Sequence, residues 1–499
     1  MLGVVLLLFG LKCWAAATME LLPEEAYYWI YAQHPALSFY DHPPMVAWAI
    51  RLGTSIFGDT EFGVRFATLM LAMGSTMIVF VTGRLWFGLN AALWACLIFT
   101  LTPLYAGIGF LATPDGPLLF FWLLTLYVLS KALLSKRTGY WLIAGIGFGA
   151  AMLSKYPGVM LAPGLLLFLL SSPAHRFWLS RWQPWIALLI GILVLSPVIL
   201  WNAQHDWVSL LFQATRTADQ KPQVFRYVLE FWLSQLGILT PPIFILAMAA
   251  AWRAMRKGWL EDQQHWNFAV SFFLPLFLVF FFASFITSVH VNWTAPMYLS
   301  MLPAAAAFFL EGVANQADPM KARRWRLAGT WSLAFCGAVI LAAFSTLTLG
   351  VPRMLSLTQA GGWRQLATLV EEARTKVAME TGQKPFIVGV DKLYIASEMG
   401  FYTGAPEETV NQFALGFPGF GYPYWTDLRD FSGRPAIAIM EEKLWPVATR
   451  ILQPYCEKMH VPRSVKFFNV GGRERRVKLI TCYRYQPPAG NFEDSQDKK

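Results

Sequence analysis

The sequence predicts a polytopic α-helical membrane domain followed by a smaller soluble α/β domain. Of its 499 residues, 56% are hydrophobic and only 14% are charged, whereas an ordinary soluble domain has about 25% charged residues. Long apolar runs alternate with short basic connectors up to about residue 350, beyond which charged residues return. We therefore expect a membrane domain over residues 1–350, an α/β domain over 351–490 and a disordered tail over 491–499.

The apolar runs predict the membrane-spanning helices. A helix that crosses a bilayer needs about 20 apolar residues, and about eleven segments qualify when short ones are included. These segments lie near residues 2–18, 62–82, 91–110, 115–134, 139–154, 157–171, 184–201, 237–252, 267–287, 293–312 and 327–349. The pair that flanks Lys155 is short enough to be a re-entrant hairpin. The first segment lacks the basic start of a signal peptide and precedes another span, which favours a retained helix.

Lysine and arginine residues predict the orientation of these helices. They are concentrated in alternate connectors, for example at Lys131, Lys136 and Arg137 and again around Arg323. Because connectors rich in these residues stay in the cytoplasm, we expect a cytoplasmic N-terminus and a periplasmic C-terminal domain in a bacterial inner membrane. The same connectors account for the net charge of +10, which argues against a nucleic acid as the partner.

Polar residues with catalytic potential are concentrated in the connectors predicted to be outside. The first outer connector contains Glu24, Glu25, Asp41 and His42 among tyrosine and tryptophan residues. A carboxylate in this position can take the proton from an acceptor hydroxyl. In the alternative interpretation, the glutamates begin an interfacial helix that its aromatic residues anchor at the membrane surface. Both interpretations are open.

Three further outer connectors contain candidate ligands for a sugar or a phosphate. Asp115 either caps the helix that follows it or binds sugar hydroxyls or a cation. Lys155, next to Tyr156, is flanked by apolar runs, where a cation is costly unless it is paired, and a phosphate would stabilise it. Arg216 is a second candidate phosphate ligand, and an ordinary solvated arginine is the alternative.

The fifth outer connector contains His290, Asn292 and Trp293. Their polar edges suit sugar hydroxyls and the indole face suits a pyranose ring, whereas the alternative is an interfacial turn with a capping asparagine. The sequence has no phosphate-binding loop, no dinucleotide-binding glycine motif and no His/Cys metal-ligand spacing. Together the outer connectors predict an outward-facing cavity with a base, a cation for a phosphate leaving group and aromatic walls.

In their order along the chain, these motifs resemble those of bacterial membrane glycosyltransferases related to protein O-mannosyltransferases and to the aminoarabinose transferase of lipid A. These enzymes, in glycosyltransferase families 39 and 83, share the GT-C architecture. The motifs that carry the resemblance are Glu24–Trp29, Tyr40–Pro44, Thr113–Gly116, Ser154–Tyr156, Ser196-Pro197 with Trp201-Asn202, and Asn292-Trp293. They cover most of the predicted membrane domain, and the resemblance continues weakly into the tail.

The resemblance implies an inverting transfer of a sugar from a polyprenyl-phosphate donor to a glycolipid such as lipid A or to a protein hydroxyl. It implies that Lys155 binds the donor phosphate and that Asp115 corresponds to the family's aspartate of the second outer loop. More loosely, it implies that Arg216 and His290 also correspond to residues of the family. The family's first loop begins with Asp-Glu, and its aspartate is the presumed base. This sequence has Glu24 there, which leaves Glu25 and Asp41 as other candidates. No cofactor is implied with certainty, and a divalent metal is left open.

The main alternative function is a transporter or flippase of lipid-linked glycans. It predicts polar residues within the spans and often internal repeats. The sequence has few of the former and none of the latter, which favours the transferase interpretation.

The C-terminal domain is predicted to be α/β. Periodicity predicts a helix over 362–381, strands over 386–390 and 436–440, and a hairpin that pairs 465–468 with 477–485. Cys456 and Cys482 both fall in this domain. A disulfide is chemically allowed there if the compartment is oxidising, but the sequence does not show whether the two residues approach each other.

Overall fold

The structure, a computed structural model, describes residues 1–215, 223–350, 360–460 and 463–488. Contacts within the chain divide it into two units. Unit 1 comprises Met1–Trp14, His42–Ala49 and Arg65–Leu341, and unit 2 comprises Ala15–Asp41, Ile50–Val64 and Ala342–Lys499. Most of the first outer connector therefore belongs to the same unit as the C-terminal residues.

The described residues up to Leu349 are mainly helical, as the apolar runs predict. The helices are α1 (Leu2–Thr18), α2 (Pro23–Gln33), α3 (Met45–Phe57), α4 (Glu61–Leu101), α5 (Pro103–Ile108), α6 (Asp115–Ser135), α7 (Thr138–Ser154), α8 (Leu161–Ser171), α9 (Trp182–Val194), α10 (Ser196–Gln204), α11 (Val208–Thr215), α12 (Val224–Leu239), α13 (Pro241–Met255), α14 (Gln264–Ala283), α15 (Met301–Ala314) and α16 (Pro319–Leu349). Short 3-10 segments at Tyr156–Met160 and Val291–Tyr298 and a π turn at Arg256–Leu260 join some of them.

Four helices in the described part of the chain are long and apolar enough to cross a membrane, namely α4, α6, α14 and α16. Four further pairs of helical segments are long and apolar enough only when the two segments are taken together, and each pair is bent at a short break. The bends are 75° between α1 and α2, 47° between α9 and α10, 108° between α12 and α13, and 63° between Val291–Tyr298 and α15. By length and composition the described residues thus contain four to eight spans. The number of about eleven membrane spans expected from the sequence remains a prediction.

The range of α4 contains two helices rather than one. Residues 62–82 and the first half of 91–110, predicted as separate spans, both fall within Glu61–Leu101. Gly88, between them, has a φ of 84° and a ψ of 176°, which are outside the helical region and which glycine adopts readily. The two helices therefore meet at a kink at Gly88, as the two predicted spans require.

Small residues bring α7 and α9 of unit 1 close together. A Cβ added to Gly145 would lie 2.5 Å from the carbonyl oxygen of Ala187, and one added to Gly149 would lie 2.5 Å from the Cβ of Val194. A Cβ added to Gly191 would lie 2.4 Å from Cδ1 of the Phe148 ring. Glycines four residues apart lie on one face of a helix, where they let two backbones approach.

Unit 2 contains a six-stranded sheet. Its strands are β1 (Phe386–Gly389), β2 (Thr409–Val410), β3 (Ala436–Glu441), β4 (Cys456–Met459), β5 (Arg463–Phe468) and β6 (Glu474–Tyr485). The order is β2-β1-β3-β6-β4, with β5 also paired to β6. β1 runs parallel to β2 and β3, whereas β6 is antiparallel to its neighbours. The two predicted strands and the predicted hairpin are therefore confirmed, while the short β2 and β4 were not predicted.

The sheet is covered on both faces, as strand alternation requires. Phe386 and Val388 of β1 belong to one core cluster, and Ile387 belongs to the other. Helix α17 (Trp363–Thr381), which confirms the predicted helix, packs Leu366 and Val370 against Ile387. The unit also contains α18 (Tyr394–Tyr402) and α19 (Trp445–Leu452).

Helix α18 packs against α2 within unit 2. The rings of Trp29 and Phe401 meet edge to face with centroids 5.0 Å apart. A Cβ added to Gly400 would lie 3.0 Å from Cδ1 of Ile30, so the absence of a side chain allows this approach. The amphipathic helix proposed for the first outer connector is thus formed, and it is packed into a core.

Cys456 and Cys482 form a disulfide, which joins β4 to β6. Pairing Met459 with Cys482 and Cys456 with Tyr485 in the antiparallel ladder brings the two cysteines to neighbouring strands. The sheet therefore decides the pairing that the sequence left open.

Candidate functional site

Asp115 and Lys155 are positioned by the ends of two adjacent helices of unit 1. Asp115 is the first residue of α6, and Lys155 caps the C-terminus of α7 with extended backbone angles. The chain then turns back through Tyr156–Met160, where a Cβ on Gly158 would lie 2.6 Å from the backbone of Ala151. Only glycine allows this close return, which holds the lysine backbone in place.

Lys155 and Asp115 form a buried ion pair. The Nζ atom of Lys155 donates to Oδ1 and Oδ2 of Asp115 at 2.8 and 3.0 Å. The two side chains are only 7% and 4% exposed. A cation flanked by apolar helices needs such a partner, because desolvation penalises an unpaired charge. Asp115 therefore holds the lysine in one position, and neither of the two roles predicted for Asp115 included this pairing.

Asn292 completes the cluster. Its Nδ2 atom donates to Oδ2 of Asp115 at 2.7 Å, across 177 positions of the chain. His290 and Trp293, on the same connector, place their rings 4.8 Å apart, with His290 exposed. We refer to Asp115, Lys155 and Asn292 as the lysine cluster.

The other substrate-binding candidates of unit 1 have different surroundings. The hydroxyl group of Tyr156 lies 2.5 Å from that of Ser209 on α11, so this ring is tied to the fourth outer connector. His42 is half-buried at the start of its segment of unit 1. Arg216 lies outside the described residues.

Sequence reasoning missed a buried glutamine behind the Asn292 connector. Gln235 of α12 accepts hydrogen bonds from the hydroxyl groups of Thr294 and Tyr298 at 2.9 and 3.0 Å. These bonds fix the Val291–Tyr298 segment and with it the backbone of Asn292. A glutamine among the apolar residues of α12 was the available signal, because a buried amide needs partners.

The catalytic candidates lie in unit 2, where Asp41 is buried between two tyrosines. The carboxylate accepts hydrogen bonds from the hydroxyl groups of Tyr27, at 3.1 Å, and Tyr31. Residues four apart lie on the same face of α2, which explains why both phenols reach one carboxylate. The ring of Tyr31 also stacks on Phe39 with a centroid distance of 4.0 Å. The spacing of the tyrosines was visible in the sequence, but their common target was not.

Glu24 and Glu25 have opposite surroundings. Glu25 is 1% exposed, and its Oε2 atom accepts a hydrogen bond from the backbone N–H of Leu22 at 3.1 Å, which forms part of a capping arrangement. Glu24 is exposed in the first turn of α2. Both glutamates therefore lie in the first turn of a helix, as one interpretation predicted, and of the two only Glu24 is exposed.

Among the carboxyl groups of unit 2 whose pKa is shifted, Asp391 is buried at the start of a helix. Burial raises the pKa of Asp391 to about 6, although hydrogen bonds from the backbone N–H groups of Ile395 and Tyr394 act in the opposite direction. The nearby charge of Glu441 raises the pKa further. Asp391 caps the N-terminus of α18, so its ionisation is coupled to the stability of that helix. Within the described ranges, no group of three His, Cys, Asp or Glu side chains is arranged to hold a metal ion.

Comparison with known sequences identifies relatives of the membrane region. The family of dolichyl-phosphate-mannose-protein mannosyltransferases matches residues 41–201. The lipid A galacturonosyltransferase RgtD of Rhizobium johnstonii is 26% identical over 305 residues, which cover 59% of this chain and 63% of that protein. The undecaprenyl phosphate-alpha-4-amino-4-deoxy-L-arabinose arabinosyl transferase of Edwardsiella ictaluri is 28% identical over 253 residues, or 46% and 43% of the two chains. The matches thus span less than two thirds of these relatives.

Comparison with solved structures covers nearly the whole chain. ArnT from Cupriavidus metallidurans, solved with undecaprenyl phosphate, superimposes with a TM-score of 0.62 at 17% identity, over 96% of this chain and 97% of that one. An oligosaccharyltransferase of Archaeoglobus fulgidus gives 0.53 at 12% identity, over 95% and 74%. The chain therefore has the GT-C fold, and the predicted fold class of a polytopic helical protein with a C-terminal α/β region is confirmed. The predicted resemblance to the mannosyltransferase and aminoarabinose-transferase families is confirmed as well.

Proposed function

We propose that this protein is an inverting glycosyltransferase that moves a sugar from a polyprenyl-phosphate donor to an acceptor of the bacterial envelope. The observation that carries the proposal is the lysine cluster, a buried ammonium group at a helix end with a fixed orientation. The names of the relatives add support, because a lipid A galacturonosyltransferase and an undecaprenyl phosphate-alpha-4-amino-4-deoxy-L-arabinose arabinosyl transferase both match this chain.

Lys155 is the proposed ligand of the donor phosphate. In the absence of substrate its charge is balanced by Asp115 at 2.8 Å. When the bond between the anomeric carbon and the phosphate oxygen breaks, negative charge develops on the phosphate. An ammonium group already held in position stabilises this charge without reorganisation, which is the main catalytic effect we expect here. Asn292 keeps Asp115 in place and thereby positions the lysine. Arg216 stays a candidate second ligand.

Glu24 is the proposed base. The acceptor hydroxyl gives its proton to a carboxylate, its oxygen attacks the anomeric carbon, and polyprenyl phosphate leaves, so a single displacement inverts the configuration. Glu24 is exposed, whereas Glu25 and Asp41 are buried. The exposure favours Glu24 as the carboxylate that meets a substrate. His42, Tyr156, His290 and Trp293 are proposed to contact the sugars.

The acceptor is proposed to be a glycolipid such as lipid A, with a protein hydroxyl as the other candidate. The reaction is placed on the periplasmic face of the inner membrane, with a cytoplasmic N-terminus and a periplasmic C-terminal domain. The disulfide between Cys456 and Cys482 supports this side, because structural disulfides persist in oxidising compartments.

The experiment that tests the proposal is transfer of a radiolabelled sugar. Purified full-length protein in liposomes receives a panel of polyprenyl-phosphate sugars and an envelope acceptor fraction. We expect label to move from the lipid to an acceptor. Glu24→Gln and Lys155→Ala should each lower turnover by about 100-fold or more.

Two variants serve as matched controls. Glu25→Gln retains an oxygen that can accept the N-terminal hydrogen bond and should keep most of the activity. Lys131→Ala removes a lysine near the C-terminal end of α6, far along that helix from Asp115, and should have no effect. Loss of transfer in Glu25→Gln with full activity in Glu24→Gln would reassign the base. Movement of labelled lipid between leaflets without transfer would support the flippase alternative.

A further inference from the structure

An apolar cavity of about 300 Å³ lies in unit 1 among α4, α13, α15 and α16. Its walls include Trp94, Phe308, Phe309 and Trp325. The hydroxyl group of Ser332, which also lines the cavity, donates to the carbonyl oxygen of Ala328 at 2.7 Å, so it is satisfied within its helix. The cavity therefore offers mainly apolar surface to an occupant.

A group of cations flanks one wall residue of this cavity along the chain. Lys321, Arg323, Arg324 and Arg326 are exposed in the first turns of α16, on both sides of the wall residue Trp325. In the described part of the chain, no carboxylate lies within 4.0 Å of their charged groups, the distance that defines an ion pair. We call these four residues the basic turn.

Neighbouring cations of the same unit behave differently. Arg253 and Lys257 both contact Glu311, Lys257 at a distance of 3.8 Å. These two charges are already balanced by protein, whereas those of the basic turn are not. The basic turn therefore keeps a positive potential that attracts anions, which makes it a candidate contact for an anionic partner outside the chain.

The cavity is long enough to hold part of one acyl chain. The wall residues of α16 extend from Trp325 to Leu333, which corresponds to about 12 Å along a helix axis. Apolar surface next to arginines that can bind phosphate oxygens in a bidentate manner suits a molecule with a phosphate head and a hydrocarbon chain. A water-soluble anion would leave the apolar walls without a partner.

We propose that unit 1 contains a specific binding site for an anionic phospholipid, with the phosphate on the basic turn and one acyl chain in the cavity. The lipid comes from the leaflet that faces the connector before α16, which is the cytoplasmic leaflet in the orientation proposed above. This site is separate from the proposed donor-phosphate ligand Lys155, and it involves no chemical reaction of the lipid.

The test is native mass spectrometry of delipidated full-length protein titrated with phosphatidylglycerol or phosphatidylcholine. We expect saturable binding of one phosphatidylglycerol and much weaker binding of phosphatidylcholine. Replacing Arg323, Arg324 and Arg326 together by glutamine should weaken phosphatidylglycerol binding on the order of 100-fold, since each cation near a lipid headgroup contributes about a fivefold effect. Ser332→Phe, which fills the cavity, should weaken it as well. If Ser332→Phe does not fold, Ala328→Phe is used in its place.

The matched control replaces Arg84, Arg137 and Arg181 by glutamine. These arginines are also exposed, and they belong to connectors predicted on the same side of the membrane. The control should bind phosphatidylglycerol as the wild type does. Equal loss in both triple variants would mean that only overall charge attracts the lipid and would overturn the proposal. Unchanged binding in the cavity-filled variant, equal binding of both phospholipids, or displacement of the phospholipid by equimolar polyprenyl phosphate would overturn it as well.

Discussion

At the scale of single residues, the buried ion pair of Lys155 and Asp115 supports the structure, and the proposed function gives it a second role. A buried charge needs a partner, and the proposed donor phosphate would use the same lysine. A substrate phosphate and Asp115 would then act on the same ammonium group. Stability and activity are therefore expected to respond differently when the two partners are replaced one at a time or together.

Replacing Lys155 alone by methionine should lower the free energy of unfolding by about 3–5 kcal/mol, because it leaves Asp115 buried without its partner. The double variant Lys155→Met, Asp115→Asn should regain most of that stability, since Asn292 can still bond to an amide. Neither variant should transfer sugar. Thermal unfolding in detergent and the transfer assay measure the two effects, and a double variant with normal turnover would contradict the phosphate role of Lys155.

Asp391 gives unit 2 a predictable dependence on pH. Its pKa is about 6 in the folded chain and about 3.9 in an unfolded one, so the folded state binds the proton more strongly. The contribution of this group to stability is therefore greatest below about pH 4 and falls by on the order of 3 kcal/mol as the pH rises through 6.

The variant Asp391→Asn should lack this decrease while keeping an oxygen that can cap α18. Thermal unfolding of the full chain in detergent between pH 4 and pH 7 compares the two proteins. The difference in stability between variant and wild type should grow with pH over this interval. A constant difference would show that burial does not raise the pKa of Asp391.

At the scale of secondary-structure elements, the sequence predicted several of them and missed their irregularities. Apolar periodicity is a local property, so it located α6, α14 and α17 and the strands β1 and β3. It did not reveal the non-helical angles of Gly88 at which the two helices of α4 meet, or that α2 turns by 75° from α1. Such features depend on a few backbone angles, which leave the apolar pattern unchanged.

The packing of α7 on α9 provides a test at this scale. Gly145→Ala should lower the free energy of unfolding by about 1–3 kcal/mol, because the new methyl group meets a backbone oxygen at 2.5 Å and the helices must move apart. Gly139→Ala on the same helix meets nothing within 4 Å, and should raise stability by up to about 1 kcal/mol. Thermal unfolding of both variants measures these changes in stability. If both substitutions changed stability in the same direction, the close packing of α7 on α9 would be contradicted.

At the scale of the whole molecule, segments that are far apart in the sequence belong to the same unit. Residues 15–41 and 50–64 belong to the same unit as the sheet near the C-terminus, more than 300 positions away. Glu20, for example, accepts a hydrogen bond from the backbone N–H of Trp363 at 2.8 Å. The catalytic candidates of the first outer connector are thus supported by the C-terminal residues, which gives that region a structural role.

The disulfide tests the stability of this unit. Replacing Cys456 and Cys482 by serine should lower the free energy of unfolding by about 3 kcal/mol, as expected for a loop closed over a separation of 26 residues. Cys13→Ala, which removes an unpaired thiol of α1, is the control. Thermal unfolding and thiol labelling of the periplasmic side in intact cells measure both effects. If Cys456 and Cys482 carried free thiols in the wild-type protein, the proposed periplasmic location would be contradicted.

By itself, the sequence determined the membrane character of the chain, the α/β nature of its C-terminal region and the motifs that resemble known transferases. These conclusions rest on composition and short-range periodicity, which neighbouring residues define. Only the tertiary structure decided that Lys155 pairs with Asp115 and that Asn292, 177 positions from Asp115, completes the cluster. It also decided that Asp41 lies between Tyr27 and Tyr31 and that the two outer cysteines are joined. Contacts of this kind depend on how distant helices and strands pack, and no local period of the sequence carries that information.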